Sequence, residues 1–374
     1  MLSAFKFLNR NTFSLKKIFN RFSVINDYSN KKSKTASFPN MIHIEPTNHC
    51  NLGCIMCPQP RDMQRIKGMM SLDLYKKIID ELKNTPAEFV YLHQFGESLL
   101  HKKIFEMIDY ASDAGIQTGM STNATILNEE NSRKLLDSKL DFLTLSLDGA
   151  SVETYDKIRP GVGAYSKIAG WDNVEKNVFN FLELRQNKYK NKGHVVAQTI
   201  SMKGNEDAIN ILKTKFSKYK ISISNKPFNE WGGKVEEINK LSTNDLPTDP
   251  DRIMCEKPWR LLTITWNGEV VPCTRYFDNQ DVYGKFPDQS LTEIWNSKKA
   301  QDYRNLHIQG REKIDYCKTC SLDGPTVVER QALKIFDVMW LEKFMYDDKP
   351  FFRHRKFGTL MEKLLLKKIK KKLQ

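Results

Sequence analysis

The sequence predicts an α/β fold: a partial (β/α)6 barrel of parallel strands with covering helices, followed by a small C-terminal unit built around cysteines. Three observations predict it. Short β-branched or aromatic runs alternate with longer amphipathic stretches from about residue 41 to 225, polar clusters follow the ends of successive runs, and the seven cysteines divide into a tight trio and a dispersed quartet.

The strands are read in order as MIHIEP at 41–46, EFVYLH at 88–93, IQTGM at 116–120, FLTLSL at 142–147, HVVAQTI at 194–200 and KISIS at 220–224. Apolar residues at helical spacing lie between them near 72–84, 100–114, 129–138, 171–187 and 205–217. Residues 226–250, rich in Asn, Pro, Gly and Asp, read as a connector. TWNGEVVPC then forms a hairpin turning at Asn267–Gly268, and residues 325–345 resume a helical pattern. The chain thus divides into a basic segment 1–40, a core domain 41–240, a cysteine-bearing domain 250–325 and a helical, basic tail 326–374.

A chain of 374 residues with 40% apolar composition buries a full core, and no stretch approaches the roughly 20 apolar residues of a membrane span. The net charge of +14 lies at the ends: residues 1–40 contribute +7 and residues 349–374 contribute +9, which leaves the body at −2. A nearly neutral body offers no broad basic face, so no nucleic acid is expected as substrate. Met361, Leu365, Ile369 and Leu373 recur at i, i+4 spacing among lysines, the pattern of a basic amphipathic helix suited to an anionic membrane surface. Leu8, Leu15, Ile18, Phe19 and Phe22 stand among Lys and Arg in an acid-free stretch, the pattern of a second interfacial helix or of a mitochondrial transit peptide. The location expected is cytoplasmic with peripheral membrane contact, or the mitochondrial matrix on the transit-peptide reading.

In a barrel of this kind the chemistry belongs at the carboxyl ends of the strands. Cys50, Cys54 and Cys57 follow the first strand, Gly96-Glu97-Ser98 the second, Ser121-Thr122-Asn123 the third and Asp148-Gly149 the fourth. Three thiolates spaced C-x3-C-x2-C ligate three irons of a cubane and leave the fourth open, whereas three ligands close a tetrahedral zinc site poorly. Cys255, Cys273, Cys317 and Cys320 have the spacing to surround a second centre; spacing alone leaves zinc and a 4Fe-4S cluster both open.

The loop CNLGCIMC, preceded by IEPTNH, resembles the cluster loop of the radical S-adenosylmethionine (SAM) superfamily, and the resemblance extends over about residues 40–225. It implies a 4Fe-4S cluster on Cys50, Cys54 and Cys57 that reductively cleaves SAM to a 5′-deoxyadenosyl radical. FGES at 95–98 resembles the family's Gly-Gly-Glu-Pro stretch and departs from it at Phe95 and Ser98; Gly96 and Glu97 would receive the SAM amino group. Asn123, Ser146 and Asp148 resemble positions lining the ribose and methionine, Arg159 resembles a cation near the SAM carboxylate, and Met56 stands where an aromatic residue often meets the adenine. Gln198 and the Asn229–Trp231 region are candidates for the mouth of the site.

C-x12-G-x4-C followed by C-x2-C is similar to the twitch domain, the shortened SPASM extension of this superfamily. The resemblance implies a second 4Fe-4S cluster, auxiliary and fully ligated, that accepts an electron instead of binding substrate. This plan is similar to that of the twitch-type aminocyclitol dehydrogenases. It implies an oxidoreductase acting on an alcohol of a sugar or aminocyclitol-like small molecule, reduced by a flavodoxin or ferredoxin. Two alternatives stand beside it: a peptide-modifying maturase, for whose recognition domain the 40 residues before the loop are few, and a non-catalytic iron-sulfur electron carrier. No single His, Lys or Arg stands out as the general base, so the catalytic residues are unknown at this level.

Overall fold

The computed structural model describes residues 14–226, 228–243 and 254–320. The helical pattern at 325–345, the basic tail and residues 1–13 with Leu8 lie outside these described residues.

Six strands lie side by side and parallel: β1 (Met41–Ile44), β2 (Phe89–Leu92), β3 (Gln117–Thr122), β4 (Phe142–Ser146), β5 (His194–Ile200) and β6 (Ser222–Lys226). The helices are α1 (Leu15–Ser29), α2 (Leu72–Lys83), α3 (Ile104–Asp113), α4 (Glu129–Asp137), α5 (Val152–Ile158), α6 (Trp171–Tyr189) and α7 (Ala208–Lys215). Local chemistry starts several of them. Ser71, Asn128 and Ser151 accept backbone N–H groups at the heads of α2, α4 and α5, where a helix leaves its first donors unpaired.

Side-chain alternation along the strands produces two distinct apolar regions. Ile42, Ile44, Val90 and Leu92 are fully buried under the helices and join the main core. Met41, Phe89, Phe142 and Val196 point the other way and, with Leu261, form a separate inner cluster that plugs the barrel below its carboxyl end. Gly119 makes room for that plug, since a Cβ there would lie 2.5 Å from Phe89 Cζ and 2.8 Å from Tyr91 Cδ2.

The hairpin expected at Asn267–Gly268 is present, with β7 (Leu261–Ile264) and β8 (Glu269–Val271) antiparallel and Gly268 at φ +86°. Its placement was not legible in the sequence. β7 pairs in parallel with β1 and β8 carries β9 (Gly284–Lys285), so one nine-stranded sheet runs β6-β5-β4-β3-β2-β1-β7-β8-β9. The barrel is therefore open, and the cysteine-bearing segment is hydrogen-bonded directly to the strand that precedes the trio.

α1 docks on the body at the amino ends of the strands. Arg21 Nε donates to Glu88 Oε1 at 2.9 Å, Asn20 pairs with the Phe38 backbone in both directions, and Asp27 accepts from the N–H groups of Ala36 and Ser37. Tyr28 donates to the Met254 carbonyl and packs edge-on against Trp259. The other face of α1 is bare, with Leu15 70%, Phe19 66% and Phe22 51% exposed. No helix among the described residues is long and apolar enough to cross a membrane.

Candidate active site

The chain leaves β1 through Glu45, whose buried carboxylate takes a two-pronged pair from Arg65 at 2.9 and 2.8 Å and accepts from Trp266 N–H. Asn48 Nδ2 then donates to the Ile66 carbonyl while its Oδ1 accepts from Gly68 N–H, which closes the following segment back on the strand. The cysteine loop is clamped from the far side: Gly53 N–H donates to the Pro160 carbonyl at 2.7 Å and Ile55 N–H to that of Ile158 at 3.0 Å. Cys50, Cys54 and Cys57 face one cavity of about 270 Å³ at the carboxyl end of the barrel. Burial pushes all three thiols up, and the neighbouring Cys54 adds to the effect at Cys50 and Cys57, the latter reaching about 12. Thiols packed this way stay protonated unless a positive centre sits among them, and three on one cavity wall are placed to hold such a centre. Among the described residues no three Cys, His, Asp or Glu close on a single metal ion, and the cysteines form no disulfide.

Gly96 lies against this loop: a Cβ would sit 2.1 Å from the Thr47 carbonyl oxygen, and Glu97 N–H donates to the His49 carbonyl at 2.9 Å. Glu97 is 2% exposed, and burial raises its pKa against the pull of three donors. Its Oε1 accepts from Thr122 Oγ1 at 2.8 Å and Leu99 N–H, its Oε2 from Asn123 N–H at 2.7 Å, so the carboxylate joins the ends of β2 and β3. Asn123 donates to Asn51 Oδ1 beside the loop, and Ser146 pairs with Ser121 across the cavity wall at 2.9 Å. Met56, Arg159, Gln198, Asn229 and Trp231 also face the cavity.

Asp148 is set differently from the sequence reading, which put it against SAM. It lies behind the cavity wall, 1% exposed; its Oδ2 accepts from Arg159 Nε at 2.9 Å and its Oδ1 from Ile200 N–H at 2.7 Å. A buried guanidinium needs a partner, and the acid four residues before the α5 helix supplies it. Burial opposes the charge on Arg159, but Asp148 holds its pKa above the ordinary value, so the cation in the cavity is fixed from behind.

Sequence reasoning missed the inner wall. His43, Tyr91, His93 and Gln94 line the cavity beside the inner plug. Burial, then neighbouring cations, lowers the pKa of His43 to about 3 and of His93 to about 4, so both rings are neutral near pH 7. Tyr91 hydroxyl pairs with Thr144 at 2.8 Å. His93 Nδ1 and both carboxamide atoms of Gln94 are buried and lack partners among the described residues. The available signal was strand alternation, which puts 91 and 93 on the lumen side directly before Gly96-Glu97.

The quartet converges as well: Cys255, Cys273, Cys317 and Cys320 all line one small cavity. Burial raises Cys255 and takes Cys317 to about 12. At Cys273 burial is outweighed by Lys257, the Arg275 N–H and the Arg275 charge, and the thiol falls below its ordinary value. Tyr303 hydroxyl lies 3.5 Å and His307 Nε2 3.6 Å from Cys317 Sγ. Four thiols with donors directed at the sulfurs fit an enclosed, fully ligated cluster.

Residues 44–209 match the Radical SAM superfamily and residues 255–321 match SPASM, an iron-sulfur cluster-binding domain. The protein is a radical SAM enzyme. Its cofactors are a SAM-binding 4Fe-4S cluster, an auxiliary iron-sulfur cluster and SAM. Among relatives of this radical SAM enzyme, a tungsten-containing aldehyde ferredoxin oxidoreductase cofactor-modifying protein of Pyrococcus furiosus is 25% identical, over 75% of this chain and 87% of that one. An S-adenosyl-L-methionine-dependent 2-deoxy-scyllo-inosamine dehydrogenase of Niallia circulans is 24% identical, over 75% and 92%. The structure of Streptococcus suis SuiB bound to precursor peptide SuiA shares the fold at TM-score 0.55 and 14% identity, covering 75% of this chain and 69% of that one.

Proposed function

We propose that this radical SAM enzyme is an oxidoreductase that oxidises an alcohol of a sugar or cyclitol-like small molecule. The observation that carries the reading is the second cysteine site, where four thiols of the chain line one small cavity, enough to ligate all four irons of a cubane and keep it from binding substrate. When bound, the SAM cluster supplies the electron that cleaves SAM, and a fully ligated auxiliary cluster supplies a sink for the electron that alcohol oxidation releases.

The chain's own residues do the rest. Cys50, Cys54 and Cys57 hold the first cluster, while Gly96, Glu97, Asn123, Ser146, Met56 and Arg159 surround the place for SAM. Asp148 keeps Arg159 aimed. The inner wall of Tyr91, Ser121 and Ser146, with His93 Nδ1 and the Gln94 carboxamide lacking partners among the described residues, offers hydrogen bonds at several heights, the chemistry a polyhydroxylated ring requires. Neutral His93, with an unpaired ring nitrogen, accepts a hydrogen bond from a substrate hydroxyl. A flavodoxin or ferredoxin is the reductant in this proposal, and contact with an anionic membrane through the termini belongs to it too.

Anaerobic turnover with dithionite, SAM and a panel of cyclitols and amino sugars deuterated at the carbinol carbon tests it. Deuterium in 5′-deoxyadenosine together with an equivalent of ketone supports the proposal. Turnover of a precursor peptide alone, the reading that the SuiB–SuiA complex favours, would overturn it.

A further inference from the structure

Residues 228–233 form a strap between the two cysteine sites. On one side Trp231 Nε1 donates to the Met56 carbonyl at 2.8 Å, and its ring lies 5.4 Å from that of Phe95, so the strap grips the SAM-cluster loop and the strand end beside it. On the other side Gly232 and Gly233, at φ +71° and +69°, leave no room for a side chain against Tyr316 and Thr319, just before Cys320. Between them Glu230 is 2% exposed, and its carboxylate lies 3.7 Å from Arg275. Arg275 is itself 6% exposed and donates from Nη1 to Cys320 Sγ at 3.0 Å.

A guanidinium this deeply buried is costly unless anions face it. Two acceptors face it here, the Glu230 carboxylate and the Cys320 sulfur, which would carry negative charge as a cluster ligand. A donor and a positive charge at a ligating sulfur favour the more negative, reduced form of a cluster, and low surrounding polarity enlarges the effect. Lys257, 3.9 Å from Cys273 Sγ, adds a second cation on another side of the same site.

We propose that Arg275, oriented by Glu230, is a positioning residue that raises the reduction potential of the auxiliary cluster so that it accepts the electron released by substrate. The inference rests on the oxidoreductase reading for the direction of electron flow. Oxidation of a carbinol to a carbonyl removes two hydrogens: one leaves as an atom to the 5′-deoxyadenosyl radical, giving 5′-deoxyadenosine. The other leaves as a proton to a base or solvent, and the remaining electron reduces the oxidised auxiliary 4Fe-4S cluster by one unit. Trp231 and the two glycines fix the strap that carries Glu230, and so tie the geometry at Cys320 to that of the SAM-cluster loop.

The test is an EPR-monitored potentiometric titration of the full-length protein reconstituted with both clusters, with R275M and R275K beside the wild type. R275M is expected to move the auxiliary midpoint to lower potential by the equivalent of about tenfold in the one-electron equilibrium, about 59 mV, with R275K in between. The midpoint of the SAM cluster stays in place. An R275M auxiliary cluster with full iron and sulfide content and the wild-type midpoint would overturn the inference, as would equal movement of both clusters. Should R275M fail to load, R275K decides: an unchanged midpoint sinks the proposal. None of these readings depends on turnover, so failure of the substrate assignment is seen separately, in the deuterium experiment.

Discussion

At Gly96 even a methyl group collides with backbone, because the Thr47 carbonyl oxygen would lie 2.1 Å from the added Cβ and cannot swing aside as a side-chain tip can. G96A is therefore expected to displace the segment leading into Cys50, at a cost of about 1–3 kcal/mol. Iron content per chain after reconstitution and the melting temperature both check this, and wild-type values for both would refute it. His43 and His93 make a different prediction. Their folded-state pKa values, about 3 and about 4, lie below the ordinary histidine value, so below pH 6.5 the unfolded chain binds protons that the folded chain does not. Their contribution to stability is complete above that pH and declines as pH falls toward 4. The melting temperature of the apoprotein should drop across pH 6.5 to 5, and an H43F/H93F variant should drop less; parallel curves would show that the rings are not held neutral. The sequence displayed the trio because its spacing is short and local. It hid the inner wall, because whether His93 meets solvent, core or cavity depends on what the neighbouring strands bring to it.

At the level of elements, all six barrel strands and five of the six intervening helices were legible from periodicity, since each buries one face against the next, whereas the two-turn α5 was too short to show a period. β7 was not, because the strand Leu261–Ile264 reads equally well as part of a free-standing hairpin. Its parallel pairing with β1 is a contact across more than 200 residues that no local pattern encodes. The pairing of Asp148 with Arg159 was hidden for a related reason: an acid at a strand end looks alike whether it faces a ligand or backs an arginine. α1 shows both lessons at once. Its amphipathic pattern marked an interfacial or cleaved segment, yet its polar face holds Glu88, the Phe38 backbone and the Met254 carbonyl. Truncation before residue 14 keeps α1 and sets the reference melting temperature. Truncation through Ser29 should lower it by several degrees and reduce soluble yield, and equal stability of the two truncated forms would contradict the docking of this helix.

Across the whole molecule, one continuous sheet carries both cysteine sites, with the cavity, the strap 228–233 and Thr274 between them. Such a layout suits a reaction that begins at one site and deposits an electron at the other. C317A should therefore continue to form 5′-deoxyadenosine while ketone formation is lost, and net oxidation by that variant would remove the auxiliary site from the reaction. The bare apolar stripe Leu15, Phe19 and Phe22 adds a surface prediction: the full chain should co-sediment with anionic phospholipid vesicles more than with neutral ones, and L15E/F19E/F22E should weaken this. The most direct test of the central claim is production of 5′-deoxyadenosine by the reconstituted protein given dithionite and SAM under strict anaerobiosis. The account predicts its formation by the wild type and its loss in C57A; no 5′-deoxyadenosine from a wild type loaded with both clusters would contradict it.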